Sequence, residues 1–311
     1  MATVETHVNQ RHMKTRYGPN GIHMFCRQSG LNMLLDEVHV PARQWSAAPR
    51  YVSIALTNAC DLRCPYCYAP KHASRLSTGS LVGWLHELDD HGCLGVGFGG
   101  GEPTHHPNFV ELCRYVSAQT GLAMTFTTHG HHLTEGMAAD LRGCVHFIRV
   151  SMDGLYETYE RLRGRPFVKF LRQLEFVRSI APFGINFVVN EETFPELEAA
   201  LTFAAEAGAA EFLLLPERPV NGHGGIGSAT RKQLSDWVCS HRAPIPLSVS
   251  QAESTGLPVC DPLSMECGLK AFAHIDASGT LKRSSFDKKG IAIEGHNVLA
   301  AIKALEEAKE Y

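Results

Sequence analysis

The segment Thr57-Asn58-Ala59-Cys60-Asp61-Leu62-Arg63-Cys64-Pro65-Tyr66-Cys67-Tyr68 places three cysteines on one short stretch, with three and then two residues between them. It follows directly on Tyr51 to Thr57, a short apolar and β-branched run that reads as a strand. From this point outward the chain repeats one theme. Further strand candidates are Leu94 to Phe98, Ala123 to Thr127, Phe147 to Ser151, Ile185 to Val189 and Glu211 to Leu215. Between them lie stretches whose apolar residues recur at three- and four-residue steps: Leu81 to His91, Asn108 to Gln119, Phe167 to Ile180 and Phe194 to Ala207. Such alternation predicts parallel strands joined by crossover helices, an α/β fold. Right-handed crossovers then collect the loops that follow the strands on one face, which is where a site is expected.

A chain of 311 residues that is 44% hydrophobic and 20% charged can bury roughly three quarters of its unfolded surface, as an ordinary globular protein does. The 29 Lys+Arg against 32 Asp+Glu give a net charge of −3, which supplies no basic footprint for nucleic acid. Met1 to Lys14 carries Glu5, His7, Arg11 and His12 without an apolar core, so it reads as neither secretory signal nor membrane anchor. No apolar run reaches membrane-spanning length, so no membrane partner is expected. Ten cysteines are too sparse for a disulfide scaffold, and the expected location is a reducing cytoplasm.

Cys60, Cys64 and Cys67 converge on one loop. Structural zinc normally takes four protein ligands, whereas three thiolates suit an iron–sulfur cluster with one iron left open to another ligand. Cysteines that were merely small buried hydrophobes would have no reason to share a loop at this spacing. After the second strand candidate comes Gly99-Gly100-Gly101-Glu102-Pro103. Three glycines let a ligand approach the backbone, and Glu102 offers a carboxylate to an ammonium group. By itself the run also reads as a tight strand-to-helix turn. His105, His106, His129, His131 and His132 follow strand candidates on the same face, where they either bind substrate, shuttle protons or simply face solvent.

Together these motifs resemble the radical S-adenosylmethionine (radical SAM) superfamily, whose cysteine loop has this spacing with an aromatic residue, here Tyr66, before the third cysteine. The resemblance implies a partial (β/α)6 TIM-like barrel over residues 51–250 and a 4Fe-4S cluster on Cys60, Cys64 and Cys67. The open iron would chelate SAM, whose methionine amino group is held by Gly100, Gly101, Glu102 and Pro103. One electron, from a reductant such as flavodoxin or ferredoxin, would cleave SAM to a 5′-deoxyadenosyl radical. Val150-Ser151-Met152-Asp153-Gly154 is similar to the family's ribose-contacting segment, with Ser151 and Asn190 as polar contacts. Tyr159 to Gly164 is similar to a stretch of members that carry an extension, in which Arg163 approaches the SAM carboxylate. Read without the family, Ser151 and Asn190 are equally turn or capping residues.

Residues 1–50 read as a short segment with a hairpin around Arg27 to Asp36, and 251–311 as a small addition with a hairpin at Asp276 to Gly279 and a closing helix from Val298 to Glu310. Residues 217 to 228 are glycine-rich and read as a mobile loop, with helix resuming near Arg231 to His241. The addition resembles a twitch-like remnant of the SPASM extension, in which a cysteine, a hairpin glycine and a second cysteine follow in series. Here the series is Cys267, Gly279, Ser284, and serine is a poor iron ligand, so no auxiliary cluster is expected. Cys260 and Cys267 remain open to three readings: packing, a partial metal site with Cys239 or His274, or a thiol that donates hydrogen to a substrate radical. The expected function is radical modification of a C–H position in a small-molecule or leader-independent substrate, because residues 1–50 are few for a leader-recognition domain. The alternatives are a peptide maturase or epimerase, and a non-catalytic metal-binding scaffold.

Overall fold

A computed structural model describes residues 13–220, 222, 224–250 and 253–308. The readings of Met1 to His12, of Asn221 and His223 in the glycine-rich loop, and of the helix end at Glu310 fall outside these residues. Three antiparallel strands open the described residues, β1 (Met13–Gly18), β2 (Gly21–Cys26) and β3 (Asn32–Leu35). The hairpin expected around Arg27 to Asp36 is β2–β3. Strand β1 went unread, although Pro19-Asn20-Gly21 beside it carries the Asn-Gly signal of a tight hairpin turn.

Among the described residues ten strands make the main sheet. In chain order they are β4 (Tyr51–Thr57), β5 (Gly95–Gly100), β6 (Ala123–Thr128), β7 (Phe147–Ser151), β8 (Phe183–Val189), β9 (Glu211–Pro216), β10 (Leu247–Val249), β11 (Phe272–Ile275), β12 (Thr280–Lys282) and β13 (Ile291–Ala292). Strands β4 to β10 pair in sequence, all parallel, and β4 to β9 are the six read from the sequence. On the far side of β4 the sheet continues through β11, parallel to β4, and then antiparallel through β12 and β13. The carboxy-terminal addition is therefore continuous with the main sheet. Among the described residues β10 and β13 are its two edges, so the barrel does not close.

The helices are α1 (Thr78–Asp90), α2 (Phe109–Gln119), α3 (Glu135–Leu141), α4 (Tyr156–Arg163), α5 (Phe167–Ile180), α6 (Leu197–Glu206), α7 (Ser228–Ser240) and α8 (Val298–Glu307). Side chains cap two of them: Ser77 accepts from the Ser80 amide at the start of α1, and Thr134 accepts from the Met137 amide at the start of α3. Helix α4 ends at Gly164, which adopts the left-handed conformation (φ 65°) usual after a helix.

Alternation along the strands divides the side chains into two layers. One set, Val52, Ile54 and Leu56 of β4, Val96 and Phe98 of β5, Met124 and Phe126 of β6, Ile148 and Val150 of β7, is buried in the core with Leu81, Leu85 and Leu88 of α1. The other set is mixed and carries the polar side chains of the strands, some of which meet across neighbouring strands. Tyr51 Oη lies 2.7 Å from Thr125 Oγ1, His274 Nδ1 lies 3.3 Å from Ser53 Oγ, and Arg149 pairs with Glu211. The lumen of the barrel is thus built to hold polar groups, while the apolar core lies between sheet and helices. No helix among the described residues is long and apolar enough to cross a membrane.

Candidate active site

The cysteine loop leaves β4 and is fastened from both sides. The Asn58 amide donates to Ser74 O (3.0 Å), the Leu76 amide to Leu56 O (3.0 Å), and Ser74 Oγ to Ala277 O (2.7 Å) in the turn between β11 and β12. From β5, the Gly101 amide donates to Thr57 O and the Glu102 amide to Ala59 O, both at 2.8 Å. This approach explains two of the three glycines. Gly100 has φ +111°, and a Cβ there would meet Thr57 O at 2.3 Å; a Cβ at Gly101 would meet Ala59 O at 2.4 Å. At Gly99 a Cβ would meet nothing within 4 Å. Gly100 and Gly101, read from the sequence as SAM-binding, dock the cysteine loop, the tight-turn role also weighed there, and Gly99 has open space where a side chain would stand.

All ten cysteines are reduced, and Cys60, Cys64 and Cys67 are half-buried. Each sulfur accepts one hydrogen bond: Cys60 from the Leu62 amide (3.4 Å), Cys64 from Arg163 Nη1 (3.5 Å) and Cys67 from Lys71 Nζ (3.2 Å). Burial pushes the Cys60 thiol up to about 11 and raises that of Cys64. Buried thiols of this kind ionise readily only against a bound cation, so the donor set fits a thiolate-ligated metal cluster. Cys64 and Cys67 line a cavity of about 1190 Å³ together with Tyr66, Gly100 and Asn190. Cys60 and Cys64 line a second cavity of about 1000 Å³.

Behind the loop stands a buried network that the sequence reading did not single out. The Asp153 carboxylate, fully buried, accepts from Tyr66 Oη (2.5 Å), from Arg163 and from the Val188 amide (2.8 Å). Burial, and next to it the Asp153 charge, raise the Tyr66 hydroxyl well above its ordinary range. Burial works against the Arg163 charge, but Asp153 outweighs it and the guanidinium is held protonated. Arg163 thus reaches Cys64 and Asp153 together. Asp153 was within reach of the sequence, since it lies in the quoted segment Val150 to Gly154.

Glu102, read from the sequence as a carboxylate for an ammonium group, is part of a hydrogen-bonded network. It is fully buried, and its oxygens accept from Thr104 Oγ1 (2.7 Å), Thr128 Oγ1 (2.8 Å) and the His129 amide (3.0 Å). Pro103 opens the 3-10 turn Pro103–His105 that this carboxylate caps. Asn190 lines the large cavity, but its Oδ1 accepts from the Glu192 and Thr193 amides (both 2.9 Å) and its Nδ2 donates to Glu217 (2.6 Å), the turn role weighed from the sequence. Ser151 ends β7, half-buried, and makes no side-chain hydrogen bond among the described residues.

The carboxy-terminal addition and the loop after β9 supply much of the remaining cavity wall. His274, Asp276, Lys282 and Phe286 line it. Asp276 pairs with Lys282 at 2.8 Å, and burial lowers His274 to about 4, which keeps that ring neutral. Arg218 stands over the Phe286 ring at 4.3 Å, and Tyr68 packs on the other contact of that ring at 4.8 Å. The glycine-rich loop carrying Arg218 is tied down, because Glu217 accepts from the Gly225 amide (3.0 Å) and the Gly227 amide donates to Glu191 (2.6 Å). Ser284, at the position of the expected thiolate, is bonded to Asp287 through both Oγ (2.9 Å) and its amide (3.0 Å). Cys260 and Cys267 are exposed, and the structure does not bring either of them to the cavity.

Residues 54–204 match the Radical SAM superfamily. Among curated relatives, the AdoMet-dependent heme synthase of Methanosarcina barkeri is 29% identical over 202 residues, 61% of this chain and 58% of its own. The PqqA peptide cyclase of Gluconobacter oxydans is 33% identical over 172 residues, 52% of this chain and 47% of its own. The mycofactocin maturase MftC of Mycolicibacterium smegmatis is 28% identical over 206 residues, 61% of this chain and 52% of its own. The chain thus spans about half the length of these relatives. Among solved structures, Streptococcus suis SuiB bound to S-adenosylmethionine superposes with a TM-score of 0.72 at 14% identity, over 93% of this chain and 86% of that one. The anSMEcpe structure with AdoMet and the Cp18Cys peptide gives 0.64 at 18% identity, over 84% and 80%.

Proposed function

We propose that the chain, whose residues 54–204 match the Radical SAM superfamily, is a radical SAM enzyme in which Cys60, Cys64 and Cys67 hold the 4Fe-4S cluster, and that it modifies a C–H position of a substrate seated in the large cavity. The cluster with SAM supplies, when bound, a 5′-deoxyadenosyl radical able to abstract hydrogen from an unactivated carbon. The observation that carries the reading is the extent of the cavity. At about 1190 Å³ it exceeds the roughly 300–1,000 Å³ of a pocket for one drug-sized ligand, and it runs from Cys64, Cys67 and Gly100 to His274, Lys282 and Phe286. SAM takes the end beside the cysteine loop, and substrate the end walled by the addition.

In this reading the chain's own residues orient and enclose. Gly99 leaves its backbone open to the methionine end of SAM, and Ser151 offers a hydroxyl toward the nucleoside. Arg163, reaching Cys64, lends positive charge to the SAM carboxylate. Glu102 acts from behind, fixing the loop of Thr128 and His129 rather than touching ligand. Neutral His274 and the Asp276–Lys282 pair present hydrogen-bonding groups to substrate. Holding substrate beside the reacting carbon replaces a bimolecular encounter, which can lower a barrier by about 7–11 kcal/mol.

The substrate favoured here is a polar small molecule or a leader-independent one. A peptide substrate is the second reading, supported by the PqqA peptide cyclase and the maturase MftC among the relatives. The serine at 284, engaged with Asp287, supports the absence of an auxiliary cluster. A flavodoxin or ferredoxin of a reducing cytoplasm would be the electron donor.

Anaerobic reconstitution with iron and sulfide tests the proposal. Expected are about four irons per chain, formation of 5′-deoxyadenosine on addition of dithionite and SAM, and loss of both when Cys60, Cys64 and Cys67 are changed to alanine. Tetrahedral zinc in place of iron, or no 5′-deoxyadenosine at full iron loading, would defeat the reading. Iron staying near four in the triple variant would instead reveal a second cluster.

A further inference from the structure

His129 follows β6 and stands against the cysteine loop, 4% exposed. Its Nδ1 accepts the His131 amide at 3.0 Å, so Nδ1 carries no proton and the ring's N–H is on Nε2. That N–H has no aligned partner. It lies 2.9 Å from Asp61 Oδ1 and 3.3 Å from Glu102 Oε2, but off the hydrogen-bond line of both. A ring nitrogen of His129, a carboxylate oxygen of Asp61 and Cys60 Sγ all lie within 4.8 Å of one another. A buried donor with an unfilled hydrogen bond, next to a thiol whose own surroundings offer only the Leu62 amide, is a costly arrangement unless something else accepts from it.

The surrounding groups fix this ring rather than consume it. The His129 amide donates to Glu102, which also receives Thr104 and Thr128. Asp61 is held by Arg165 Nη2 at 2.7 Å and by His105 Nε2 at 3.2 Å. The ring therefore sits between the Glu102 carboxylate and the Asp61 carboxylate from within the cysteine triplet, close to Cys60 Sγ.

We infer that His129 is a positioning residue that donates its Nε2–H to the Cys60 corner of the iron–sulfur cluster and thereby raises the cluster's reduction potential. The inference rests on Cys60, Cys64 and Cys67 holding that cluster. Its physical basis is charge: reduction adds an electron to a partly buried anionic centre, and a fixed N–H dipole stabilises the reduced state more than the oxidised one. Hydrogen bonds to the sulfurs are among the factors that set such potentials.

The test is a redox titration of the reconstituted protein followed by electron paramagnetic resonance, in three forms: wild type, His129→Phe, which keeps the bulk of the ring without a donor, and His129→Gln, whose amide nitrogen reaches the place of Nε2. His129→Phe is expected to shift the reduction equilibrium about tenfold toward the oxidised state, which for one electron is ~59 mV. His129→Gln is expected to return the wild-type value. An unmoved potential in His129→Phe at full iron content overturns the inference, as does an equal shift in both variants, which would mark a loss of packing. If His129→Phe fails to take up iron, the wild type labelled with 15N-histidine decides: a nitrogen coupling to the reduced cluster is expected, and its absence overturns the inference. Iron missing from the wild type, or kept by the triple cysteine variant, would instead defeat the cluster assignment itself.

Discussion

Arg16 Nε lies 2.5 Å from Glu266 Oε1, and this contact joins β1 to the segment that leads into β11. Arg16 is 2% exposed and Glu266 4%. The guanidinium also donates to Ala48 O (2.7 Å), Gly92 O (2.9 Å) and Lys270 O (3.0 Å), and Arg50 adds a second cation to Glu266 at 2.9 Å. The amino-terminal sheet, the start of the barrel and the carboxy-terminal addition are therefore locked at one buried ion pair. Arg16→Ala leaves Glu266 with a single cation and takes a donor from three carbonyls, of which Lys270 O keeps the Arg50 amide at 2.8 Å. A loss of about 3–5 kcal/mol is expected, the usual result of removing one partner of a buried pair. Urea unfolding of wild type and variant measures it, and a loss under 1 kcal/mol would contradict the arrangement.

The glycines after β5 allow a graded test. Gly101→Ala would drive a methyl into Ala59 O, and Gly100→Ala would add the strain of φ +111°. Both variants are expected to lower the melting temperature and to retain less iron after reconstitution. Gly99→Ala, with nothing within 4 Å of its methyl, is expected to melt as the wild type does while raising the KM for SAM. Equal melting losses at all three positions would refute the division of labour.

His274 should make stability depend on acid. Burial depresses its folded-state value to about 4, whereas unfolded histidine titrates near 6.5. The unfolded chain then binds the proton first, so the contribution is complete above about pH 6.5 and is lost as pH falls toward 4. Its full size is of order 3 kcal/mol, since each pKa unit is worth about 1.4 kcal/mol. Unfolding midpoints at pH 7.5 and pH 5 should therefore differ less in His274→Gln than in the wild type. The same pH dependence in both proteins would exclude the histidine as its source.

Asp153→Asn should act on the cysteine loop from a distance. The change removes the charge that faces Arg163 and weakens the anchor of Tyr66, while the asparagine oxygen still accepts from the Val188 amide. A several-fold rise in the KM for SAM is expected, with overall unfolding shifted by about 1–3 kcal/mol, the cost of a weakened buried hydrogen bond to charge. An unchanged KM would show that Arg163 keeps its place without the carboxylate.

How far the sequence could be read depended on how local each signal was. The cysteine triplet and the glycine run are contiguous, and their chemistry is carried by residue types at fixed spacing. The strands β4 to β9 were legible because each has an unbroken apolar face against the helices. What escaped was set by distant partners. Nothing beside Glu102 in sequence tells that Thr128 and His129, arriving with the next strand, donate to its oxygens. Strand β10 is three half-buried residues, too short to show a period. The hairpin at Asp276 to Gly279 was plain from its turn residues, but that its first strand lies along β4 depends on Phe272 to Ile275 pairing with Tyr51 to Ile54.

That last pairing bears on how the molecule can be dissected. Strand β4 occupies an interior place only because β11 lies beside it. Ending the chain at residue 250 would uncover the backbone of Tyr51 to Ile54 as an open rim of amides and carbonyls, the kind of template on which polypeptides stick to one another. A minimal catalytic fragment should consequently precipitate unless the tail is supplied, and chimaeras that exchange tails need their junction between α7 and β11 together with a matching first strand.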